Sequence, residues 1–219
     1  GEWKNDLPHG LGEMKYIDGT VYKGNWQLGL RSGKGMYVYQ NGDVYDGDWN
    51  FDMRCGTGSM KYADGSEYCG EWRSDQFNGR GVYRKANSTY DGDWVLGVKE
   101  GNGTMRYESG ASYKGSWKRG LYHGQGTITY KHGIIRSYTG TWQNNKRHGA
   151  GILQLFNEDV YDGHFRDNLL HGTGTFTWKN GISFKGKWNK GTVANVESVL
   201  TFPLAPGKKS RCSGSFLDG

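Results

Sequence analysis

The chain has 219 residues, of which only 34% are hydrophobic, and its mean hydropathy is −0.83. These values exclude a thick two-layer core and a run of about 18 apolar residues that could span a membrane. Glycine contributes 38 residues and proline three, while aromatic residues make up 15%. A collagen helix and a disordered glycine-rich linker are therefore also excluded.

An aromatic-x-Gly-x-aromatic unit recurs at intervals of 22 to 25 residues, most often 23. Its complete copies are Tyr22-Gly24-Trp26, Tyr45-Gly47-Trp49, Tyr68-Gly70-Trp72, Tyr90-Gly92-Trp94, Tyr113-Gly115-Trp117, Tyr138-Gly140-Trp142, Tyr161-Gly163-Phe165 and Phe184-Gly186-Trp188. Gly1-x-Trp3 is the end of an earlier copy, so there are nine units. Because the chain begins inside a unit, we expect it to derive from a longer parent protein. Each of the first eight units also carries a Gly-x-Gly, at Gly10, Gly33, Gly56, Gly79, Gly101, Gly124, Gly149 and Gly172.

The full pattern, Tyr-x-Gly-x-Trp-x-x-Gly-x-x-x-Gly-x-Gly, resembles the MORN (membrane occupation and recognition nexus) repeat. The resemblance covers residues 1–191, an array of nine repeats with the first truncated, and leaves residues 192–219 as a C-terminal cap or dimerisation tail. All-MORN proteins of this kind, particularly in protists, are associated with cytoskeletal and membrane-adjacent assemblies. The family also implies phospholipid binding in some members, and arrays attached to lipid kinase and methyltransferase domains in others.

Each unit is predicted to contain two β-strands. Tyr68, Gly70 and Trp72 alternate with polar residues at a period of two, which is typical of a strand with one packed face. We therefore predict an all-β fold: an elongated, single-layer antiparallel β-hairpin solenoid of nine 23-residue repeats, curled into a trough.

Asp-Gly or Asn-Gly marks the turn between several successive units. A two-residue loop at Asp64-Gly65 would mix the two faces of the hairpin, because it places Tyr68 opposite Lys61. A three-residue loop instead pairs Met60 with Tyr68 and keeps the faces pure. The sequence therefore predicts a type I turn with a G1 bulge.

The turn inside each unit is predicted three residues after the second aromatic. That position is always Gly, Asn or Asp, the residues that tolerate positive φ: Asp6, Gly29, Asp52, Asp75, Gly97, Gly120, Asn145, Asn168 and Gly191. A short turn there is expected to place Trp72 opposite Gly79, so that each Trp has a glycine on both neighbouring strands.

No motif in the chain indicates catalysis, nucleic acid binding or a resident cofactor. The Gly-x-Gly segments open no helix and lack the lysine of a phosphate loop. His9, His123, His148 and His171 precede Gly-x-Gly and are interpreted as turn residues. Neighbouring copies lie roughly 9.6 Å apart, too far to share a metal ion. A structural zinc between two chains, held by these histidines and Cys55, Cys69 or Cys212, is an alternative. The odd number of cysteines favours the cytoplasm.

The net charge of +6 is concentrated in one part of the chain. Residues 109–157 contain no Asp or Glu. Their seven basic side chains are candidates for binding phosphoinositides or an anionic membrane surface: Lys114, Lys118, Arg119, Lys131, Arg136, Lys146 and Arg147. The alternative is a solvated surface that only keeps the protein soluble.

The last repeats carry more apolar bulk than the others. We predict an antiparallel, tail-to-tail homodimer through Phe165, Leu169, Leu170, Phe176, Trp178, Phe184 and Trp188. The tail that follows, with Val193, Val196, Val199, Leu200, Phe202 and Leu204, could serve as a cap or join the same interface.

Three functions compete at this stage. The first is a structural scaffold that binds itself and other cytoskeletal or scaffold proteins in the cytoplasm or at the membrane periphery. The alternatives are a phosphoinositide or acidic-membrane binding module, and a targeting domain cut from a larger enzyme. In each case this segment is expected to have no catalytic activity of its own.

Overall fold

The computed structural model of the protein describes residues 1–194, 197–203 and 209–215, and every helix or strand element in these ranges is a β-strand. In the part described, nothing has the form of a membrane-spanning helix. The chain divides into two units, Gly1–Glu108 and Ser109–Gly219. In each unit, successive strands form antiparallel hairpins in one open layer, which confirms the predicted all-β hairpin fold.

The first unit holds ten strands, each paired with the next: β1 (Glu2–Lys4), β2 (Leu7–Lys15), β3 (Val21–Gln27), β4 (Leu30–Val38), β5 (Val44–Asn50), β6 (Met53–Lys61), β7 (Glu67–Arg73), β8 (Gln76–Lys85), β9 (Ser88–Val95) and β10 (Val98–Tyr107). The described residues of the second unit form β11 (Ser112–Lys118), β12 (Leu121–Thr129), β13 (Ile135–Gln143), β14 (Lys146–Leu155), β15 (Val160–Arg166), β16 (Leu169–Thr177), β17 (Ser183–Asn189), β18 (Thr192–Val193), β19 (Glu197–Pro203) and β20 (Lys209–Ser215).

Five turns between repeats, including the one at Asp64-Gly65, have the predicted three-residue form. The loop at Ala86-Asn87 has two residues, and the loop over residues 131–135 has five. Met60 lies opposite Tyr68, as the parity of the two faces requires. The Tyr62 N–H donates to the Ser66 carbonyl at 2.9 Å, and the Gly65 N–H donates to the Tyr62 carbonyl at 2.9 Å. Gly65 has a φ of 81°, the left-handed conformation that glycine adopts without a Cβ clash. The register deduced from the sequence is confirmed.

The turns inside the repeats contain two residues, and both are left-handed. The nine predicted positions all have positive φ, for example 65° at Asp52 and 73° at Asn168. The residue before each is left-handed as well, even where it is Phe51 (44°) or Leu96 (48°). Two such residues make a type I′ turn, whose twist matches that of the flanking strands.

The predicted pairing of Trp72 with Gly79 is wrong. Trp72 lies opposite Phe77, and the register shifts before the ladder resumes. Gly79 has a φ of 61° and lies in the resulting bulge of β8. The left-handed residue bends β8 at this point. The extra residues of β8 therefore bulge out, and the side chains beyond them stay on the same face of the sheet. Trp72 therefore faces glycine on one side only, at Gly56 of β6.

A buried tyrosine lies over a pair of glycines in the repeats. Tyr22 is fully buried, and its Oη donates to the Asn25 carbonyl at 2.9 Å. Gly24 and Gly35 lie opposite each other beneath the ring. A Cβ on Gly24 would lie 2.6 Å from Tyr22 Oη, and a Cβ on Gly35 would overlap the ring. Burial raises the pKa of Tyr22 to about 12. The same hydrogen bond recurs at Tyr45, Tyr68, Tyr90, Tyr113, Tyr138 and Tyr161.

Within each unit, a tyrosine is held between rings of two successive repeats. The Tyr45 ring meets Trp49 of its own repeat and Trp72 of the next, both at 5.1 Å and nearly perpendicular. Such edge-on pairs contribute about 0.5–1.5 kcal/mol beyond burial of their area. Trp49 Nε1 also donates to the carbonyl of Gly35 in the preceding hairpin at 2.9 Å. Within each unit the core is thus a row of rings on one face of the sheet.

The sheet changes at its C-terminal end. β17 pairs with the two-residue β18 and, farther along, with β19, where Phe184 lies opposite Leu200. Of the tail residues considered for a cap, Val196 and Leu204 lie outside the described residues.

Replacing Gly81 with alanine tests the role of the glycine pair. A Cβ at Gly81 would lie 2.6 Å from Cζ of Tyr68, so we expect the free energy of unfolding to fall by about 1–3 kcal/mol. Gly12→Ala is the matched control, because its Cβ would lie 3.3 Å from Cδ1 of Trp26. Urea denaturation followed by tryptophan fluorescence measures both. Equal losses in the two variants would contradict this role.

Candidate interaction surfaces

A column of side chains lies at the second position after the inner turns of the first eight repeats. Six of its members lie against a tyrosine ring: Arg31, Arg54, Phe77, Lys99, Tyr122 and Arg147. Phe77 stacks on Tyr68 with 3.7 Å between the ring centroids and 10° between the planes. Arg54 occupies the same place one repeat earlier, with Cζ 4.6 Å from the centroid of Trp72. The members of this column are Pro8, Arg31, Arg54, Phe77, Lys99, Tyr122, Arg147 and Leu170.

Two arginines of the column join neighbouring repeats. The backbone N–H and Nε of Arg31 donate to Asp52 Oδ1 at 2.9 and 2.8 Å. Arg54 makes the same bonds with Asp75 at 3.0 and 2.9 Å. Each aspartate is the left-handed turn residue of the following repeat, so the bonds fasten one turn to the next. Our sequence reasoning missed this clamp, although an Arg that precedes a turn Asp by 21 residues signals it.

Arg147 of the predicted basic surface lies in this column. Its backbone N–H and Nη2 donate to Oδ1 and the carbonyl of Asn168, at 2.9 and 3.0 Å. Its guanidinium carbon lies 5.6 Å from the centroid of Phe165. Because burial disfavours the charged form, the pKa of Arg147 is lowered from its usual value. The charge of Arg147 is therefore partly sequestered against rings.

The remaining residues of that surface are spread over several elements. Lys146 on β14 forms an ion pair with Asp167, with 3.4 Å between Nζ and Oδ1. The five others have exposed side chains: Lys114, Lys118, Arg119, Lys131 and Arg136. The second unit has 15 basic and 6 acidic side chains in all, whereas the first has 13 and 16.

The polar face of the first unit carries a groove. Two adjoining cavities of about 560 and 530 Å³ share Lys34 and Asp46 as lining residues, and backbone of strand glycines also lines them. Lys34 Nζ lies 2.8 Å from Asp48 Oδ1, and Arg80 Nη1 lies 3.0 Å from Asp93 Oδ1. Charges along this groove are thus largely matched within the unit.

Carboxylates of the first unit cap the amides exposed by the bulges. Burial opposes the ionisation of Asp48, but hydrogen bonds from Lys34 and Thr57 outweigh it, so the pKa of Asp48 lies below 3.8. The capped amides, each following a left-handed glycine, donate as follows: Thr57 N–H to Asp48 Oδ2 at 2.8 Å, Arg80 N–H to Glu71 Oε1 at 2.8 Å, and Asn102 N–H to Asp93 Oδ2 at 2.7 Å. The sequence signal for these caps is an acidic residue between the Gly and the Trp of a repeat.

The histidines before Gly-x-Gly lie in strands β2, β12, β14 and β16, which corrects their interpretation as turn residues. Each precedes the left-handed glycine of a bulge, because the turn itself ends earlier than the sequence suggested. In the ranges that the structure describes, their Nδ1 atoms are buried without a hydrogen-bond partner: His9, His123, His148 and His171.

No group of three or more potential metal ligands occurs in the described residues. Cys69 lies opposite Ser59, as the predicted register requires, and both Cys55 and Cys69 are free thiols. The side chain of Cys212 lies outside the described residues.

Four of the predicted interface residues surround one apolar cavity. Phe176, Trp178, Phe184 and Trp188, together with Val193, line a space of about 330 Å³. Trp178 is 38% exposed at its edge. Within the described residues, Trp188 Nε1 is buried and has no acceptor.

The other three predicted interface residues have different surroundings. Phe165 is 2% exposed and packs edge-on between Tyr138 and Tyr161, so it belongs to the row of rings. Leu170 lies opposite it across the β15–β16 ladder. Leu169 is 47% exposed and remains available at the surface.

Comparison with protein families finds one match. The model described as MORN repeat matches eight consecutive segments, residues 1–21, 22–44, 45–67, 68–89, 90–112, 113–133, 138–160 and 161–183. These segments cover more than half of the chain. The ninth unit expected from the sequence, which begins at Phe184, follows the last matched segment.

Three of the solved structures that match this chain are the following, and each resembles it weakly. The TCP10 domain of Danio rerio CPAP, in complex with a peptide of STIL, has 10% identity and a TM-score of 0.49 over 96% of this chain and 97% of its own. The Drosophila melanogaster SAS-4 (dCPAP) TCP domain, in complex with a proline-rich motif of Ana2 (dSTIL), has 13% identity and a TM-score of 0.34 over 92% and 88%. The CPAP G-box domain has 9% identity and a TM-score of 0.29 over 93% and 98%. No curated protein matches the chain. At this level of similarity, nothing about the function of this chain follows from these structures.

Acid is expected to destabilise the first unit through Asp48. A carboxylate whose pKa is lower in the folded state stabilises the fold above its unfolded pKa, and this contribution is lost as the pH falls through the folded pKa. Because the pKa of Asp48 lies below 3.8, stability should decline as the pH drops below about 4. Hydrogen bonds from Thr20 and Ser66 lower the pKa of Asp18 and Asp64 in the same direction.

Urea denaturation at a series of pH values checks this dependence. Asp48→Asn should flatten the acid limb, whereas the control Asp46→Asn, at an exposed position of the same strand, should leave it unchanged. An Asp48→Asn protein with the same acid limb as the wild type would refute the assignment.

Proposed function

The chain belongs to the MORN repeat family, and on that premise we propose that it is a non-catalytic protein-interaction scaffold. It self-associates as an antiparallel homodimer through its C-terminal repeats and acts in the cytoplasm, at a cytoskeletal or membrane-adjacent assembly. It binds a second copy of itself and other scaffold or cytoskeletal proteins.

The repeated architecture supports the scaffold role. Within the first unit, the Arg31–Asp52 and Arg54–Asp75 clamps and the shared ring contacts fasten successive repeats to each other. The polar face meanwhile presents a different set of side chains at each repeat. A stiff array of this kind offers many small binding surfaces in fixed order, which suits the assembly of other proteins.

The proposal of self-association rests on the apolar cavity at the last hairpin. In several earlier repeats the tyrosine contacts a Trp or Phe of the following repeat, as Tyr161 does with Trp188 at 5.5 Å. Phe184 holds the tyrosine position of the ninth unit, and an apolar cavity lies beside it. The buried Trp188 Nε1 also lacks the acceptor that Trp49 finds in Gly35. An aromatic side chain and a backbone carbonyl from a second copy would complete this site, and a two-fold axis repeats the contact.

Sedimentation equilibrium at micromolar concentrations tests the dimer. Trp178→Glu should weaken dimerisation at least tenfold, about 1.4 kcal/mol, because it places a charge at the mouth of the cavity. Ile134→Glu, at a site 80% exposed in the same unit, is the control and should have no effect. Because we propose no bridging zinc, EDTA should leave the dimer intact. A monomeric wild-type protein would overturn the proposal.

We propose lipid binding as a second candidate function because five basic side chains are exposed in a stretch without acidic residues. Each lysine or arginine near an anionic bilayer contributes about 1 kcal/mol, and salt screens the attraction. The surface would act by electrostatic attraction, since most aromatic side chains of this stretch are buried in the sheet.

Co-sedimentation with phosphoinositide-containing vesicles at low and high salt tests lipid binding. Lys114→Glu should reduce binding several-fold, whereas Lys23→Glu, at the same repeat position in the first unit, should not. Binding that is insensitive to salt, or equal in both variants, would contradict an electrostatic membrane site.

A further inference from the structure

We infer that the bulges of β12 and β14 form a pair of anion sites that take carboxylates of an acidic partner peptide. The two backbone amides concerned belong to Gln125 and Ala150, which follow the left-handed glycines Gly124 and Gly149. This inference rests on the proposed scaffold function and names the chemistry of one partner.

The protein shows in its first unit what such a bulge binds. At three of its bulges, the amide after the left-handed glycine donates to a carboxylate oxygen, as Thr57 N–H does to Asp48 at 2.8 Å and Asn102 N–H does to Asp93 at 2.7 Å. The Thr57 hydroxyl adds a second bond to Asp48 Oδ2 at 3.1 Å. An amide directed out of the ladder by a left-handed residue is a general binding feature for anions. All three hydrogen bonds lie at the exposed surface, so a bulge can hold a carboxylate without burying it.

The second unit keeps this backbone geometry and lacks the carboxylates. Gly124 and Gly149 have φ of 66° and 63°, close to the 63° of Gly101. The positions of Asp48 and Asp93 are taken by Ser116 and Thr141. Their side chains still lie against the glycines, since a Cβ on Gly124 or Gly149 would be 3.3 or 3.4 Å from Cβ of Ser116 or Thr141.

The hydroxyls of these two residues do not replace the carboxylates. Thr141 Oγ1 instead accepts a bond from Gln125 Nε2 at 3.0 Å. Over the described part of the second unit, no side-chain oxygen accepts from the backbone N–H of Gln125 or Ala150, in contrast to Thr57 and Asn102.

Electrostatics favour an external anion at these amides. No Asp or Glu occurs between residues 109 and 157, and Lys114 and Lys118 are exposed on the strand beside the first site. At three bulges of the first unit a carboxylate of the chain accepts from the amide, whereas at these two bulges a partner would supply it.

The spacing selects an extended acidic peptide. β12 and β14 are separated by β13, so the two sites lie roughly 9.6 Å apart at about 4.8 Å per strand. A polyproline II segment repeats a side chain every third residue, about 9.3 Å. Acidic residues three apart in such a segment can therefore reach both bulges. Carboxylates, rather than the phosphates of lipids, are what the corresponding bulges of the first unit hold.

Fluorescence anisotropy with a labelled peptide of four Glu-Pro-Pro units tests this inference. The variant Ser116→Asp/Thr141→Asp restores the arrangement of the first unit, so its own carboxylates should occupy the amides and weaken peptide binding about tenfold or more. The control Gln143→Glu/Asn144→Asp adds the same charge to the exposed end of the β13–β14 hairpin and should change affinity less than about threefold. A peptide of the same composition with its four glutamates adjacent should bind more weakly than the regular one.

Three results would overturn the inference, and a fourth separates it from the proposal of self-association. Equal losses in the two double variants would mean that net charge alone attracts the peptide. Binding of phosphoinositide vesicles without binding of the peptide would assign the surface to lipid. If neither binds while the wild type remains a dimer, the acidic-peptide inference fails and the scaffold proposal stands. A monomeric wild type that binds the peptide would support this inference and remove only self-association.

Discussion

The fold depends on the contact between a tyrosine ring and two glycines that face each other across a hairpin. Tyr22 is fully buried although the hairpins form a single layer, because Gly24 and Gly35 leave room for its ring directly on the backbone. Its hydroxyl then finds the Asn25 carbonyl at 2.9 Å, so the ring is buried without an unpaired polar atom. The high glycine content and low hydropathy of the chain both follow from this arrangement.

The row of rings also explains how the repeats cooperate. Within a unit, a tyrosine such as Tyr45 contacts a Trp of its own repeat and one of the next, and the arginine clamps join the corresponding turns. Stability in each unit therefore accumulates between neighbours, and the end of the row leaves apolar surface without a further repeat. The cavity beside Phe184 and Trp188 is such an apolar surface. The proposed self-association rests on it.

The sequence predicted the hairpins and the Met60–Tyr68 register because the alternation of faces permits only one loop length. It also located the left-handed Asp and Asn of the inner turns, which have a local signature. It could not predict Phe51 or Leu96 at positive φ, since those residue types have no preference for such a turn. The bulge at Gly79 could not be predicted from the sequence either. Gly-x-Gly is equally compatible with a regular strand, and only the φ of its first glycine distinguishes the two. The anion sites beside Gly124 and Gly149 follow from bulges of this kind, so they required the structure, whereas the basic stretch and the apolar residues of the last repeats were located from composition.

Ionisation of the tyrosines, followed by NMR on protein labelled at the phenol carbon, tests the central contact most directly. The phenols of Tyr22, Tyr138 and Tyr161, which burial gives a pKa of about 12, should stay protonated well above pH 10 and ionise only as the sheet unfolds. All 15 tyrosines titrating together near pH 10, with the strands still intact, would show that the rings do not lie sealed over the glycines and would contradict the account.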